Sequence, residues 1–199
     1  LKNYYKALEF DDVSEDIKTD IKSNIGLIYT DMGKLEKARK LLEAANEYYS
    51  QNNHLPGMIK CYLNLGNINF YLNNLDGVIT NYNKAFELSS KISEYKSAIT
   101  LKANMGSYYF TVGSIDKAEK EFKEGIEITK EKGDKKFHGQ FLANLGVIEG
   151  YRGNYQNAAD NFKKAAELRR EINDLKGEGS SLANLGEAYL FLERPEEAY

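Results

Sequence analysis

The sequence has little of several features that mark common protein classes. It contains one cysteine, Cys61, which excludes an internal disulfide framework and fits a reducing compartment. Its formal net charge is −3, whereas a nucleic-acid-binding protein normally carries a basic excess. No apolar run approaches the roughly 18 residues that a membrane-spanning helix needs. These absences favour a cytoplasmic protein that binds neither nucleic acid nor membrane.

Arrangements of residues that would carry catalysis or bind a metal are also missing. No nucleophile stands in a recognisable pattern with a base, and His54 and His138 are isolated, near turns, with no ligand spacing around them. Gly177-Glu178-Gly179 resembles the start of a dinucleotide fingerprint, but Leu182 replaces its third glycine and no strand precedes it. We therefore expect no enzyme activity, no metal and no cofactor.

What the chain does have is one tripeptide, Asn-(Ile/Leu/Met)-Gly, which recurs five times at a constant spacing of 40 residues. A fixed period of about 20 to 50 residues indicates stacked supersecondary units and not a globule with one centre. The tripeptides are Asn24-Ile25-Gly26, Asn64-Leu65-Gly66, Asn104-Met105-Gly106, Asn144-Leu145-Gly146 and Asn184-Leu185-Gly186.

Each unit contains the pattern of two helices. In residues 55–94 the apolar positions Cys61, Leu65, Ile68 and Leu72 share one helix face. The equivalent stripes end at Met32 and Val112 in the neighbouring units. A Gly- or Asn-containing break follows each stripe and predicts a tight turn. These breaks are Met32-Gly33-Lys34, Asn73-Asn74, Val112-Gly113-Ser114 and Arg152-Gly153-Asn154.

A second stripe of apolar or small residues follows each turn. Its positions are Leu35/Ala38/Leu42/Ala45, Leu75/Val78/Tyr82/Ala85, Ile115/Ala118/Phe122/Gly125 and Tyr155/Ala158/Phe162/Ala165. Small residues here, together with the tripeptide glycine, let two helices approach to the short end of the usual ~8–10 Å interaxial range. A glycine inside a helix costs ~1 kcal/mol relative to alanine, so five of them require a packing reason. The predicted fold is all-α.

We expect one array over residues 1–199. Residues 1–10 match the second helix of a preceding repeat, four full repeats cover about 15–54, 55–94, 95–134 and 135–174, and 175–199 form a partial repeat. Polar turns at 51–53, 93–94, 132–134 and 173–174 join the repeats, and Pro195 marks the first turn of a last helix. Because neither end carries a polar capping helix, we expect the chain to be a piece of a longer protein.

The unit resembles a tetratricopeptide repeat, in which Leu-Gly is followed by an aromatic residue, an alanine, a second aromatic residue and a second alanine. The matching residues are Leu65-Gly66; Tyr29, Tyr109 and Tyr189; Ala38, Ala118 and Ala158; Tyr82, Phe122 and Phe162; and Ala45, Ala85 and Ala165. The 40-residue length, the added Asn and the missing Pro resemble the longer subclass, which includes the Leu-Gly-Asn-rich G-protein signalling modulators, kinesin light chains and bacterial peptide-pheromone receptors.

This resemblance implies a right-handed superhelical solenoid of antiparallel helix pairs. The first helix of each pair would line a concave groove that binds extended or helical peptide segments, and the repeats would contain no catalytic centre.

The five tripeptide asparagines are the leading candidates for contact with a peptide. Each lies beside the buried stripe, and a primary amide offers both a donor and an acceptor to a peptide backbone. If first helices lie ~10 Å apart, an extended ligand rising ~3.3 Å per residue would meet one amide at roughly every third residue. The alternative is that these amides bond neighbouring helices.

Side-chain pockets must add to these hydrogen bonds, because each bond contributes ~1 kcal/mol whereas micromolar binding needs about 8 kcal/mol. Aromatic residues late on the first helices stand where the groove wall is expected, although packing between repeats explains each equally well. Of the residues equivalent to Lys60, namely Asp20, Thr100, Gln140 and Ser180, none is cationic, which disfavours recognition of a ligand's terminal carboxylate. Our site candidates are Asn24, Asn64, Asn104, Asn144, Asn184, Lys60, Asn67, Tyr71, Phe110, Gln140 and Tyr151.

The predicted function is a protein–protein interaction scaffold that binds a peptide segment or a partner protein in its groove. Two alternatives remain open: a receptor for a peptide signal coupled to an output module outside this chain, and a regulatory segment of a multi-domain signalling enzyme. Self-association through uncapped ends is a further possibility.

Overall fold

The computed structural model describes residues 1–92 and 95–194, which form ten α-helices and, within those ranges, no strand. The helices are α1 Lys2–Leu8, α2 Glu15–Asp31, α3 Leu35–Gln51, α4 Leu55–Tyr71, α5 Leu75–Lys91, α6 Tyr95–Thr111, α7 Ile115–Lys132, α8 Lys135–Tyr151, α9 Tyr155–Glu171 and α10 Leu175–Phe191. The predicted all-α class is confirmed. The predicted turn at 93–94 and the helix start at Pro195 lie outside the described residues. None of the described helices is long and apolar enough to cross a membrane.

The chain divides into two compact units, Leu1–Leu101 and Lys102–Tyr199, with the boundary inside α6. In the first unit α2 packs on α3, α3 on α4, and α4 on α5. In the second unit α7 packs on α8, α8 on α9, and α9 on α10. Consecutive helices joined by such short turns form antiparallel pairs. That all 199 residues form one array stays a prediction.

The predicted stripes form the core, with one correction at their ends. Cys61, Leu65 and Ile68 are buried in one cluster with α3 residues, including Ala38 and Leu42. Leu72, however, is 42% exposed, and Met32 and Val112 are 49% and 41% exposed. Leu72 and Met32 are the C-caps of α4 and α2, and Val112 directly follows α6. The chain turns away from the core there, so the helical period no longer places these side chains inside.

The predicted turns between first and second helices are confirmed by their backbone angles. Gly33, Gly113 and Gly153 have φ values of 70°, 76° and 79°, and Asn73 has a φ of 55°. This left-handed region costs glycine nothing and asparagine little, so these residues end the first helix and reverse the chain. Glu193 takes the same position after α10 with a φ of 57°, which the sequence pattern did not predict.

Four of the five tripeptide glycines, Gly26, Gly66, Gly106 and Gly146, are confirmed as points of close helix approach. A Cβ built on Gly66 would lie 2.3 Å from the ring of Tyr82, and one on Gly106 would lie 2.2 Å from the ring of Phe122. In both cases the ring comes from the second helix of the same repeat. The glycine is therefore required because an aromatic side chain occupies the space of its missing Cβ.

Cys61 lies fully buried on α4, as its position on the stripe predicts. Burial raises the pKa of its thiol to about 12, so the reactive thiolate is scarce at neutral pH. We expect a water-soluble disulfide reagent to leave the folded protein unlabelled and to label one thiol per chain after unfolding in urea. Labelling of the folded protein at the rate of a free thiol would contradict this burial.

Candidate functional site

The asparagines of the five tripeptides are half-buried on α2, α4, α6, α8 and α10. In the first unit two of them have partners inside the chain. Lys60 Nζ donates a hydrogen bond to Asn24 Oδ1 at 2.7 Å, which links α4 to α2. Asn64 Nδ2 donates to the backbone carbonyl of Lys60 at 2.7 Å. Lys60 thus takes part in one hydrogen bond within α4 and in one to α2, the first helix of the preceding repeat.

The other first-unit candidates are arranged differently from one another. Asn67 Oδ1 accepts a hydrogen bond from the hydroxyl of Tyr82 on α5, so this amide joins the two helices of one repeat. Tyr71 is 64% exposed, and its ring meets Phe70 edge-on with centroids 5.9 Å apart. Tyr71 therefore presents an aromatic surface to solvent, while Asn67 takes part in packing.

The second unit contains an open cavity of about 310 Å³ between α8, α9 and α10. Tyr151 and Phe191, which are 70% and 57% exposed, stand in its wall, so the cavity is accessible from solvent. The ring of Phe110 meets Tyr151 edge-on at 5.9 Å, and Tyr155 stacks on Phe191 at 4.6 Å. The lining residues are Phe110, Gly146, Val147, Gly150, Tyr151, Tyr155, Ala158, Phe162, Asn184, Glu187, Ala188 and Phe191.

A smaller cavity of about 150 Å³ shares two walls with the first. Phe110 and Val147 line both cavities, and Phe122 also lines the smaller one. Asn144 lines the smaller cavity and Asn184 the larger one. Each cavity thus combines apolar residues with one primary amide, and Ser107 and Thr111 add two hydroxyl-bearing residues to the wall of the smaller one. A few polar groups in a mainly apolar pocket can orient a ligand. We call these two cavities, with their shared walls, the unit-2 groove.

Charge is sparse in the unit-2 groove. Glu187 is the one charged residue among the lining residues of the larger cavity. Arg152 directly follows Tyr151, but its guanidinium donates to Asp116 Oδ1 and Glu119 Oε2, at 2.6 Å each. Those bonds engage the guanidinium with α7. The larger cavity is therefore mainly apolar, with a single carboxylate among its lining residues.

A buried ionic cluster joins α6 to α7 in the same unit. Lys102 Nζ donates to Glu121 Oε2 at 2.8 Å and also to Glu124 Oε2, and the side chains of Lys102 and Glu121 are 11% and 12% exposed. Burial lowers the pKa of Lys102, but the two carboxylates outweigh burial and raise its pKa overall. This cluster fixes α6, which carries Asn104 and Phe110, against its partner helix.

The two histidines serve local structure. His54 Nδ1 accepts the backbone N–H of Gly57 at 3.0 Å and caps α4, and His138 Nδ1 lies 3.3 Å from the hydroxyl of Thr129. Burial lowers the pKa of His138, an effect that the nearby charge of Lys130 reinforces. In the described residues no group of three or more His, Cys, Asp or Glu side chains is placed to hold a metal ion.

The structure brings some of the predicted site residues together. Phe110, Asn144, Tyr151 and Asn184 meet in the unit-2 groove. Gln140 lies half-buried one turn before Asn144 on α8, and Asn104 lies half-buried on α6. Lys60, Asn24 and Asn64 form a separate hydrogen-bonded group in the first unit.

Other groove residues were missed by the sequence argument. Val147 and Glu187 occupy equivalent positions on α8 and α10, one turn after the asparagine, where no repeating residue type draws notice. Tyr155 begins a second helix, which was assigned to the core. Gly150 did carry a signal, because the equivalent residues Thr30, Phe70, Phe110 and Leu190 all have side chains.

Repeated antiparallel helix pairs with a glycine at each crossing define a class of helical-repeat protein. A family model described as tetratricopeptide repeat matches residues 139–198, and a model described as 26S proteasome subunit RPN7 matches residues 1–124. A comparison with curated proteins found no match. The chain belongs to the tetratricopeptide repeat family, and its residues 1–124 belong to the family that the RPN7 model describes.

Solved structures with the same fold are distant in sequence. BtubC (BKLC) from P. vanneervenii is 16% identical with a TM-score of 0.79, and the match covers 99% of this chain and 82% of that one. A signal transduction ATPase with numerous domains from Pyrococcus horikoshii, which has a tetratricopeptide repeat sensor, is 23% identical with a TM-score of 0.81. That match covers 99% of this chain and 30% of the ATPase.

A Rap protein complexed with competence and sporulation factor is 16% identical with a TM-score of 0.76, over 99% of this chain and 65% of the Rap chain. At these identities the likeness shows a shared fold. The predicted tetratricopeptide fold is thereby confirmed.

Proposed function

We propose that this chain is a protein-interaction module that binds a peptide segment of a partner in the unit-2 groove. The observation that carries the proposal is the pair of adjoining cavities, each lined by aromatic and aliphatic residues and by one asparagine amide. Two amides in adjoining cavities can hydrogen-bond successive parts of one peptide backbone, while the shared walls Phe110 and Val147 contact its side chains. Such a module needs no cofactor, and we propose none.

The exposed aromatic residues support the same reading. Tyr151 and Phe191 are large, more than half exposed and adjacent to a cavity. Aromatic side chains are enriched where proteins bind one another, because they combine a large apolar area with few rotatable bonds. The Rap protein complexed with competence and sporulation factor shares this fold, which is consistent with a binding role for the chain.

A second candidate is a sensor domain whose ligand is a peptide signal. The support is the Pyrococcus horikoshii ATPase, in which a tetratricopeptide repeat sensor is one part of a multi-domain protein. In that case the groove would bind the signal, and an output domain outside this chain would respond. The two candidates share one binding site and differ in whether binding changes the activity of a covalently attached domain.

The amides are tested by the double variant Asn144→Ala/Asn184→Ala. Peptides are first selected on the wild-type chain from a random library displayed on phage, and the Kd of an enriched peptide is measured by fluorescence anisotropy. Since each hydrogen bond contributes ~1 kcal/mol, we expect the double variant to bind roughly tenfold to thirtyfold more weakly. Because both side chains are only half-buried, its melting temperature should stay close to that of the wild type.

The matched control is Asn157→Ala, on the exposed face of α9, which should change neither binding nor melting. An unchanged Kd in the double variant would remove the amides from the binding site. A collapse of its melting temperature would instead show that they hold the helices together. The proposal is supported if the peptide binds saturably to the wild type and to Asn157→Ala and binds more weakly to the double variant alone.

A further inference from the structure

One position separates the fourth repeat from the others. The penultimate residues of the five first helices are Thr30, Phe70, Phe110, Gly150 and Leu190. Gly150 alone among them has no side chain. A Cβ built on Gly150 meets one atom within 4 Å, the Cβ of Ala158 at 3.9 Å, which is ordinary van der Waals contact. The space that a side chain would fill is therefore open, and Gly150 lines the 310 Å³ cavity.

Packing does not account for this glycine. At Gly106 and Gly146 an added Cβ would lie 2.2 Å and 2.7 Å from a phenylalanine ring, so glycine is needed there. Gly150 has no such neighbour, and its φ is not in the left-handed region that favours glycine. Glycine lowers helix stability relative to alanine, so a residue with a side chain would suit α8 better. The missing side chain at Gly150 leaves open volume in the cavity.

The residues that line this cavity indicate which kind of ligand group would occupy it. Val147, Tyr151, Phe162 and Phe191 present apolar or aromatic groups, and the stacked pair Tyr155–Phe191 forms part of the wall. A volume of about 310 Å³ lies at the small end of the ~300–1,000 Å³ typical of ligand pockets, which suits a side chain more than a whole ligand. Glu187 adds one exposed carboxylate, and none of the described residues that line the cavity is a cation.

We infer that the cavity beside Gly150 is the specificity pocket of the unit-2 groove. It takes a bulky apolar side chain of the bound peptide, and Glu187 pairs with a lysine or arginine near that side chain in the peptide sequence. This inference rests on the proposed function, since it assigns the ligand class of the same groove. Apolar walls fix the shape of the side chain, and the single carboxylate fixes the sign of the neighbouring charge.

The test fills the pocket from inside the protein. Peptides selected on the wild type from the phage library should share a Phe, Tyr, Trp, Leu, Ile or Met residue close to a Lys or Arg. The variant Gly150→Leu carries the side chain that stands at the equivalent position 190 and should occupy the cavity. We expect it to weaken binding of these peptides roughly tenfold to a hundredfold, the affinity that burying one such side chain contributes.

Several variants keep the test sharp. Gly179→Leu, where an added Cβ meets no atom within 4 Å, is the matched control and should bind as the wild type does. Gly150→Ala fills less of the cavity and should weaken binding less than Gly150→Leu. Glu187→Gln should reduce the preference for Lys or Arg and the dependence of Kd on salt, because an ion pair at an exposed carboxylate is screened. Circular dichroism should show that every variant is folded.

The outcomes separate this inference from the proposed function. If the selected peptides bind Gly150→Leu as tightly as the wild type while Asn144→Ala/Asn184→Ala weakens them, the groove stands and the pocket assignment is overturned. If the selected peptides share no apolar residue close to a Lys or Arg, the assignment of the specificity pocket is also overturned. If no peptide is enriched on the wild type, the proposed function itself fails. If light scattering shows that the wild type self-associates and Gly150→Leu does not, the occupant is a second copy and our assignment is wrong.

Discussion

Replacing Gly106 with alanine should lower the free energy of unfolding by about 3 kcal/mol, the upper part of the usual range for an overpacked core. The added methyl group would lie 2.2 Å from Cε1 of Phe122, far inside van der Waals contact. Phe122 cannot easily withdraw, because its ring packs against Phe141 with centroids 6.2 Å apart. The ring of Phe141 is itself confined, since a Cβ on Gly125 would lie 2.3 Å from it. Two glycines and two rings therefore interlock, and a change at one glycine strains all four.

The loss is measured by urea unfolding followed by far-ultraviolet circular dichroism, which suits a chain without tryptophan. Gly179→Ala is the matched control, because it makes the same change inside a helix where no atom lies within 4 Å of the new Cβ. Helix propensity alone should stabilise that variant by up to ~1 kcal/mol. A Gly106→Ala protein as stable as Gly179→Ala would show that the helices are not in this close contact.

The first repeat indicates how the strain at Gly106 can be relieved. There the ring is replaced by Leu42, and a Cβ on Gly26 would lie 3.0 Å from Leu42 Cγ, a milder overlap. We therefore expect Phe122→Leu to destabilise the wild type but to recover part of the stability of Gly106→Ala. Such coupling is the sign of two residues that share one space. Additive losses would argue that they act independently.

The register of these contacts could be predicted from the sequence, because a glycine costs a helix stability wherever it occurs. Five glycines at one spacing therefore had to correspond to one repeated contact, and Gly66 and Gly106 each meet a second-helix ring. The turns were predictable for a similar reason, as Gly33 and Asn73 adopt backbone angles that few other residues tolerate. These features depend on the backbone, and a glycine or asparagine indicates them without any knowledge of its spatial neighbours.

Features that depend on two side chains from different helices were not predictable. Lys60 and Asn24 are 36 residues apart, and their hydrogen bond depends on how α4 lies beside α2. From residue type alone, Lys60 could equally be an exposed lysine and Asn24 an amide that binds a ligand. Repetition does not separate the two roles left open for the asparagines, because the residues recur identically, whereas Asn24 bonds Lys60 and Asn144 lines a cavity.

The unit-2 groove was predictable only in part. Aromatic residues at the ends of the first helices pointed to Phe110 and Tyr151, and the cavity does lie between them and α10. Gly150, which also lines this cavity, interrupts the row of side chains at the equivalent positions, and a search for recurring residues does not select it. In a repeat protein the core residues recur in every repeat. A position at which one repeat differs from the others can therefore give that repeat its own ligand contacts.

Replacing Lys102 with methionine should have the second large effect, a loss of about 3 kcal/mol in the free energy of unfolding. Methionine restores most of the lysine's length, so packing changes little, but the side chain of Glu121 is only 12% exposed and would lose its cation. Leaving a buried carboxylate unpaired is costly because water cannot reach it. The exposed pair Lys91–Glu87, with side chains 56% and 69% exposed, supplies the matched control Lys91→Met, which should change the free energy of unfolding far less because water screens the pair.

Two further measurements distinguish the unpaired charge from a simple packing defect. Lys102→Met/Glu121→Leu removes both charges and should regain much of the stability, because an apolar pair can replace a buried ion pair at little cost. The effect should also depend on pH. The carboxylates raise the pKa of Lys102 above its ordinary value of 10.5, so the folded state holds this proton more tightly than the unfolded state. The stabilisation is therefore complete below 10.5 and is lost as the pH rises through the pKa of the folded state.

The wild type and Lys102→Met should accordingly differ most near neutral pH, and their unfolding free energies should converge in alkaline solution as Lys102 loses its proton. Other titrating groups are common to both proteins and cancel in the difference. A gap that stays constant from neutral to alkaline pH would mean that Lys102 stabilises α6 through its carbon chain alone, and that its charge does not contribute.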